Sequence, residues 1–160
     1  MSRSVRVTIV VAVAVLVSGM LLTAQMKDPF VGTWQMNVAK SKYTPGPMPK
    51  SVTTTIEAAG QGYKISVKNE PASGPMLQYS YTTALDGREG AVTGNNPLAD
   101  VVTVTRIDAS TMEMLNKKGG KTTTTQRSVV STDGKTRTVT TSGNDAQGQK
   151  VSNVAVFEKQ

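Results

Sequence analysis

Tyrosine, arginine and methionine are the residue types here that could build a binding site, because the sequence contains no histidine and no cysteine. Without these two, the commonest general base, the thiolate nucleophile and the usual ligands of zinc and haem iron are missing. No paired carboxylates or Ser-Lys arrangement stands out, since most aspartates fall in turn sequences. We therefore predict no catalytic residues, no metal site and no cofactor, in a protein that is not an enzyme.

Side chains that could line a pocket recur at every second position of segments that alternate apolar and polar residues. Leu77, Tyr79 and Tyr81 share one face of such a segment, and Met112 and Met114 share another. Aromatic and methionine side chains adapt well to small apolar ligands. These residues either line a ligand pocket or simply fill a core. The complete predicted interior set is Met36, Ile65, Leu77, Tyr79, Tyr81, Val104, Arg106, Met112, Met114, Arg127 and Phe157.

Two arginines have the alternation of residues that face inward. Arg106 follows Val104 at this spacing, and Arg127 precedes Val129. A buried guanidinium needs an anionic partner. That partner is either a carboxylate or phosphate of a ligand, or an internal acid such as Glu113.

Strands must position these side chains, because short alternating segments bounded by glycine, proline, asparagine and aspartate follow one another without a convincing helix. Nearly every connection after residue 50 is short, which favours a barrel over a two-sheet sandwich with longer crossings. We predict an all-β fold, an antiparallel up-and-down β-barrel of about 8–10 strands, formed by residues 25–160. The predicted strands are residues 32–38, 51–58, 63–70, 76–84, 88–93, 100–107, 111–116, 122–131, 135–141 and 150–159.

Residues 39–50 break this pattern with Pro45, Pro47 and Pro49. Proline cannot donate to a strand ladder, so we predict a connecting loop over this range. The loop is either a rigid crossing between strands or a lid over one mouth of the barrel.

The N-terminus has the layout of an export signal. Arg3 and Arg6 precede the apolar residues 7–22, and Ala24 ends the segment with a small side chain. We predict a signal peptide at residues 1–24, or an uncleaved membrane anchor of the same residues. The protein is then exported, with a periplasmic or extracellular location, and any membrane contact goes through this segment.

The formal charge of the chain is +7, of which Arg3 and Arg6 supply two, leaving +5 on the remainder. These lysines and arginines are spread over turns and strand faces without interleaved aromatic residues. A nucleic-acid surface normally clusters them. We therefore expect no nucleic-acid partner, and the sequence does not predict an oligomeric state.

Both ends of residues 25–160 resemble a known family. Residues 30–34 (Phe-Val-Gly-Thr-Trp) and 156–159 (Val-Phe-Glu-Lys) resemble the first and last strands of the lipocalin and fatty-acid-binding-protein (calycin) superfamily. Residues 28–50 are also similar to small exported bacterial lipocalin-like proteins. The resemblance implies that Gly32 and Trp34 plug the closed end of a lipocalin-like barrel, with Arg127 or Arg137 over the indole.

The chain departs from this family at its ligand contacts. Fatty-acid binders hold the ligand carboxylate with an Arg-x-Tyr pair on the final strand, where this chain has Ala155 and Phe157. Haem-binding relatives ligate iron through histidine, which is missing here. The resemblance therefore implies a fold more firmly than a ligand.

Together these observations favour an exported, non-catalytic binding protein for a small, largely apolar molecule. The alternative is a cell-envelope structural or interaction module whose barrel is solidly packed and takes no small-molecule ligand. The two hypotheses differ in whether the barrel has an open interior.

Overall fold

Strands follow one another along almost the whole of the described chain, as the alternating segments predict. The computed structural model describes residues 28–145 and 147–160, so the predicted signal segment, residues 1–24, lies outside the described residues. The strands of the described part are β1 (Gly32–Met36), β2 (Lys42–Thr44), β3 (Ser51–Ala59), β4 (Gly62–Glu70), β5 (Leu77–Thr83), β6 (Asp86–Ala91), β7 (Thr93–Gly94), β8 (Val101–Arg106), β9 (Thr111–Lys118), β10 (Lys121–Val130), β11 (Thr136–Asn144) and β12 (Lys150–Lys159).

All the strand pairs are antiparallel, and they form one sheet in the order β6, β8, β9, β10, β11, β12, β1, β3, β4, β5 and β7. Only Val92 separates β6 from β7 in the chain. Because β6 pairs with β8 and β7 pairs with β5, the two ends of the sheet belong to one continuous segment. The sheet therefore curls into a barrel, and the predicted antiparallel up-and-down β-barrel is confirmed.

The first and last barrel strands pair with each other, which joins the early and late halves of the sheet. Trp34 of β1 lies opposite Lys159 of β12, and Met36 lies opposite Phe157. On its other side β1 pairs with β3.

The buried side chains follow the two-residue period of the strands. In β3, Val52, Thr54 and Ile56 are buried while the residues between them are only partly covered. Successive side chains of a strand point to opposite faces, so this alternation separates the barrel interior from its outer surface. The interior contains threonine, serine and asparagine besides aliphatic and aromatic residues.

The predicted loop at residues 39–50 is partly wrong, because β2 lies within it. β1 has five residues whereas β12 has ten, so β1 cannot pair with the whole of β12. β2 pairs with the part that is left over, through Tyr43 opposite Asn153. Before it, Asn37 ends the first strand by capping a short 3-10 helix (Val38–Lys40), and its side chain accepts a hydrogen bond from the Lys40 backbone.

The residues before β1 fold across one end of the barrel and close it. Phe30 and Trp34 are fully buried there, and the Trp34 indole N–H donates to the Phe30 carbonyl at 2.8 Å. Gly32 has a φ of 138°, a conformation that L side chains rarely adopt, and a Cβ there would lie 3.0 Å from the Lys159 side chain. The Lys159 Nζ lies 4.8 Å from the centre of the Trp34 ring and donates to the Pro29 carbonyl. We call this end the base of the barrel.

Trp34→Ala is expected to lower the free energy of unfolding by about 3 to 5 kcal/mol, because it leaves a large cavity among fully buried neighbours. Val154, 38% exposed on the outer face of β12, is the control, and Val154→Ala is expected to cost about 0.5 kcal/mol or less. Urea unfolding of both variants measures the difference. Equal stabilities for the two variants would contradict the role of Trp34 in the base.

Candidate functional site

A cavity of about 190 Å³ lies inside the barrel. Seven strands of the ring and β2 contribute to its wall, so the cavity exists only because the sheet is closed. Its lining residues are Tyr43, Val52, Thr54, Ile65, Val67, Asn69, Tyr79, Tyr81, Leu98, Met114, Gln126, Arg137, Val139, Thr141, Asn153, Ala155 and Phe157.

A second space of about 40 Å³ adjoins the first and shares part of its wall. The shared residues are Ile65, Tyr81, Met114, Gln126, Arg137 and Val139, and the second space adds Val104, Met112 and Ser128. We refer to the two spaces together as the barrel cavity. It is larger than an engineered apolar cavity of about 150 Å³ that binds benzene, and smaller than the roughly 300 Å³ at which drug-sized pockets begin.

The mouth of the barrel cavity lies beside the loop of residues 45–50, between β2 and β3. Tyr43 and Asn69 line the cavity and also line a shallow surface depression of about 290 Å³ together with Pro47 and Pro49. A larger groove of about 470 Å³ runs past Gly62 and Thr83, but it opens on the outer surface beside exposed Arg88 and Glu89. The barrel cavity is the better candidate site because its walls are buried.

Arg137 is the positively charged residue in the wall of the barrel cavity. Its relative exposure is 6%, and its guanidinium carbon lies 4.6 Å from the centre of the Phe157 ring and 5.5 Å from that of Trp34. This confirms that an arginine stacks on Trp34 and identifies it as Arg137 of the two arginines considered. No described carboxylate forms an ion pair with Arg137, and its Nε has no hydrogen-bond partner among the described residues.

Burial lowers the pKa of Arg137 from its ordinary value of 12.5 to about 10, although Tyr81 and Tyr79 partly oppose the shift. The guanidinium is still charged at neutral pH. Burial also raises the pKa of Tyr79 to about 12 and raises that of Tyr81, so both phenols are neutral hydrogen-bonding groups. The Tyr81 hydroxyl contacts the Met114 sulfur at 3.2 Å. The wall thus combines one cation, neutral polar groups and apolar surface.

Arg106 is the arginine of the base, and its anionic partner is an internal acid. Its guanidinium makes a bidentate pair with Asp28, with Nη1 at 2.8 Å from Oδ2 and Nη2 at 3.1 Å from Oδ1. The Tyr63 hydroxyl donates to Asp28 and accepts from Arg106. The rings of Phe30 and Tyr63 lie 5.3 and 5.7 Å from the guanidinium. Arg106 therefore fastens the segment before β1 to β8 and β4.

Burial by itself would raise the pKa of Asp28. The hydrogen bonds that its carboxylate accepts from Arg106, Tyr63 and the Phe30 backbone outweigh this effect, so the pKa lies below its ordinary value of 3.8. A carboxyl whose pKa is lower in the folded state stabilises the fold above its unfolded pKa, and this stabilisation is lost as the pH falls through the folded value.

The prediction that Arg127 faces inward is wrong. Half of its side chain is exposed, and it pairs on the outer surface with Glu113 at 2.6 Å. Val129, which shares its alternation, is 38% exposed, whereas Ser128 and Val130 are buried. The adjacent valines Val129 and Val130 make the alternation of this strand ambiguous, and the inward one is Val130.

The structure places the other predicted interior residues in three groups. Met36 is buried beside the cavity, with its sulfur 3.7 Å from the Tyr43 hydroxyl, and Leu77 is partly buried near the mouth end of β5. Neither lines the barrel cavity, and Arg106 belongs to the base. Those that do line it are Ile65, Tyr79, Tyr81, Val104, Met112, Met114 and Phe157.

Sequence reasoning missed Arg137 as a lining residue, along with Gln126, Ser128 and Asn69. Arg137 has the alternation of Val139, two residues later on β11, and both are buried. That spacing was the available signal, but polar residues surround it and hide the apolar pattern.

The described residues contain no group of three or more histidine, cysteine, aspartate or glutamate side chains that could hold a metal ion. Within residues 28–145 and 147–160 there is no helix of the length and apolar character that crossing a bilayer requires.

No protein-family model matches the chain, and no curated protein sequence matches it. Among solved structures, the chain is similar to the zebrafish ileal bile acid-binding protein in complex with cholic acid. The identity is 13%, the TM-score is 0.46, and the match covers 82% of this chain and 99% of that one. A likeness this distant carries no information about the ligand of the barrel cavity.

Asp28→Asn is expected to lower the free energy of unfolding at pH 6 by roughly 1 to 3 kcal/mol, since it breaks charge-assisted hydrogen bonds at the base. The difference from the wild type is expected to shrink as the pH falls toward 2, because protonation of the wild-type carboxyl removes the same charge. Urea unfolding at the two pH values measures this. Asp86→Asn, which alters an exposed pair with Arg88, is the control and is expected to change stability much less. A difference independent of pH would contradict the assignment.

Arg137→Met is expected to leave the free energy of unfolding at pH 7 unchanged or to raise it by up to about 3 kcal/mol. Removing an unpaired buried charge is favourable, and this outweighs the loss of about 0.5 to 2 kcal/mol from the cation–π contacts. Urea unfolding is the measurement, and Arg127→Met, at an exposed pair, is the control with an effect below about 1 kcal/mol. A loss above about 2 kcal/mol in Arg137→Met would mean that this charge stabilises the fold.

Proposed function

We propose that this chain is an exported, non-catalytic binding protein that holds a small, largely apolar molecule in the barrel cavity. The single observation that carries the proposal is the open interior of about 190 Å³, whose wall combines aromatic, aliphatic and methionine side chains with the polar residues Thr54, Asn69, Gln126, Arg137, Thr141 and Asn153. A cavity of this composition is the usual form of a small-molecule site.

The arrangement of the barrel supports a container with one opening. Phe30 and Trp34 close the base, whereas Tyr43 and Asn69 connect the cavity to the surface at the mouth. A ligand of roughly the size of benzene or slightly larger matches the volume. The alternative, a structural module with a solid barrel, has no need of this interior space.

Binding without reaction agrees with the chemistry of the wall. Arg137 and the two tyrosines have pKa values far from neutrality, so none is suited to exchange a proton with a ligand at neutral pH. The wall therefore binds a ligand through charge, hydrogen bonds and shape, without a proton transfer.

Export is proposed from the sequence of the first 24 residues. Arg3, Arg6 and the apolar residues 7–22 support it. The mass of the protein isolated from its own source tests this proposal, because cleavage removes the segment and retention of the segment indicates an anchor.

Ala155→Phe is expected to weaken binding of benzamide, a small neutral probe, by at least about tenfold, because a ring on Ala155 fills the barrel cavity. Val154→Phe is the matched control, because Val154 precedes Ala155 on β12 and its side chain points to the outer face. This variant is expected to bind benzamide as tightly as the wild type does. Ligand-observed NMR titration measures both affinities.

Two results would count against the proposed function. Failure of the wild type to bind benzamide, together with the lack of any retained small molecule in native mass spectrometry, would overturn it. Equal binding by Ala155→Phe and the wild type would place binding outside the barrel cavity.

A further inference from the structure

The barrel cavity holds unused hydrogen-bonding capacity. Among the described residues, three buried side-chain atoms have no hydrogen-bond partner: Asn69 Oδ1, Ser128 Oγ and Arg137 Nε. All three residues line the barrel cavity. Buried polar groups are normally paired, and a lost pairing costs free energy. Their shared location leaves the wall of the barrel cavity with hydrogen-bonding atoms that are available to a ligand.

The charge of the cavity wall is also unbalanced. Arg137 is its cation, and no aspartate or glutamate is among the lining residues of either space. A buried charge without a counter-charge is costly, so an anion in the cavity would be strongly favoured over a neutral molecule.

Arg106 shows, in the same molecule, what a complete site for a stacked guanidinium looks like. Both Arg106 and Arg137 lie against two aromatic rings at 4.6 to 5.7 Å. Stacking uses the face of a guanidinium and leaves its N–H groups, which lie in the plane, free to donate. At Arg106 these N–H groups bind the Asp28 carboxylate in a bidentate pair. At Arg137 the rings are present but no described carboxylate is.

We propose that the ligand is a small carboxylate, and that its carboxylate takes at Arg137 the place that Asp28 takes at Arg106. This inference rests on the proposed function, since the ligand occupies the same barrel cavity. Ser128 lies in the same wall and can donate a hydrogen bond to the carboxylate, whereas Asn69 Oδ1, at the mouth side, is an acceptor and does not pair with it. The site differs from the Arg-x-Tyr pair that the family resemblance implies on the last strand, because Arg137 belongs to β11.

The volume of the barrel cavity restricts this class to compact carboxylates. An apolar cavity of about 150 Å³ accommodates benzene, so a space of about 190 Å³ beside one of about 40 Å³ suits a benzoate-sized anion. Long acyl chains exceed this volume.

Benzoate and benzamide test the proposal, because they have nearly the same shape and differ in charge. The full chain is expected to bind benzoate at least about tenfold more tightly than benzamide at pH 7, since a hydrogen-bonded charge pair in a buried site discriminates by about this factor or more. Isothermal titration calorimetry or NMR titration measures the ratio. Fluorescence of Trp34, the single tryptophan of the chain, provides a second readout because Arg137 stacks on its ring.

Variants test whether Arg137 causes the preference for benzoate over benzamide. Arg137→Met is expected to lower benzoate affinity by at least about tenfold while changing benzamide affinity by less than about threefold. Arg137→Lys keeps the charge without the planar fork and is expected to retain part of the preference. Arg127→Met removes an arginine from the outer surface and is expected to leave the ratio unchanged.

Each remaining outcome overturns a defined part of the proposal. If the wild type binds benzamide as tightly as benzoate, the cavity remains a binding site but the assignment of a carboxylate ligand is wrong. If the wild type prefers benzoate but Arg137→Met leaves the ratio unaltered, Arg137 is not the partner of the carboxylate. If neither probe binds and native mass spectrometry finds no retained small molecule, the proposed function fails and this inference fails with it.

Discussion

The hydrogen-bonded ladder between the first and last barrel strands is the interaction on which the rest of the structure depends. β1 and β12 are more than 110 residues apart in the chain, yet their pairing joins the early and late strands into one curled sheet with an interior, of which β6 and β7 are the end strands. Because β1 has only five residues, β2 extends the pairing along β12 toward the mouth. Without this ladder, the alternating side chains of the barrel strands would have no common interior to face.

Two arginines, Arg106 partly buried and Arg137 buried, have different partners in the barrel. Arg106 is matched by Asp28 and Tyr63, and it holds the segment before β1 against the base. Arg137 contacts Trp34 from the cavity side and has no acidic partner among the described residues. The charge of Arg106 is therefore balanced by a carboxylate, whereas that of Arg137 faces the cavity without one. Proteins keep such locally unfavourable groups mostly at sites of function, which is why the contrast is informative.

Most of the strand pattern was predictable, but the orientation of individual side chains was less so. Alternation is a reliable guide where apolar residues mark one face clearly, as in β5, and this placed Tyr79 and Tyr81 correctly in the interior. Alternation gave the wrong orientation where two neighbours are both apolar, as at Val129 and Val130. It also failed to show the inward position of Arg137, whose neighbours in the chain are threonines. A shift of one residue turns every side chain of a strand to the other face, so one ambiguous pair reversed the assignment of Arg127.

The sequence by itself determined the antiparallel barrel and the lack of histidine and cysteine chemistry. These follow from local periodicity, turn residues and composition, each of which acts over a few residues of chain, whereas the closure of the base by Trp34 was implied by a resemblance to known sequences. Only the tertiary structure decided that Asp28 balances Arg106 across 78 positions, that Arg137 stacks on Trp34 beside an open space, and how large that space is. Such properties depend on how distant side chains share volume and charge after the sheet has closed, and no local pattern contains that information.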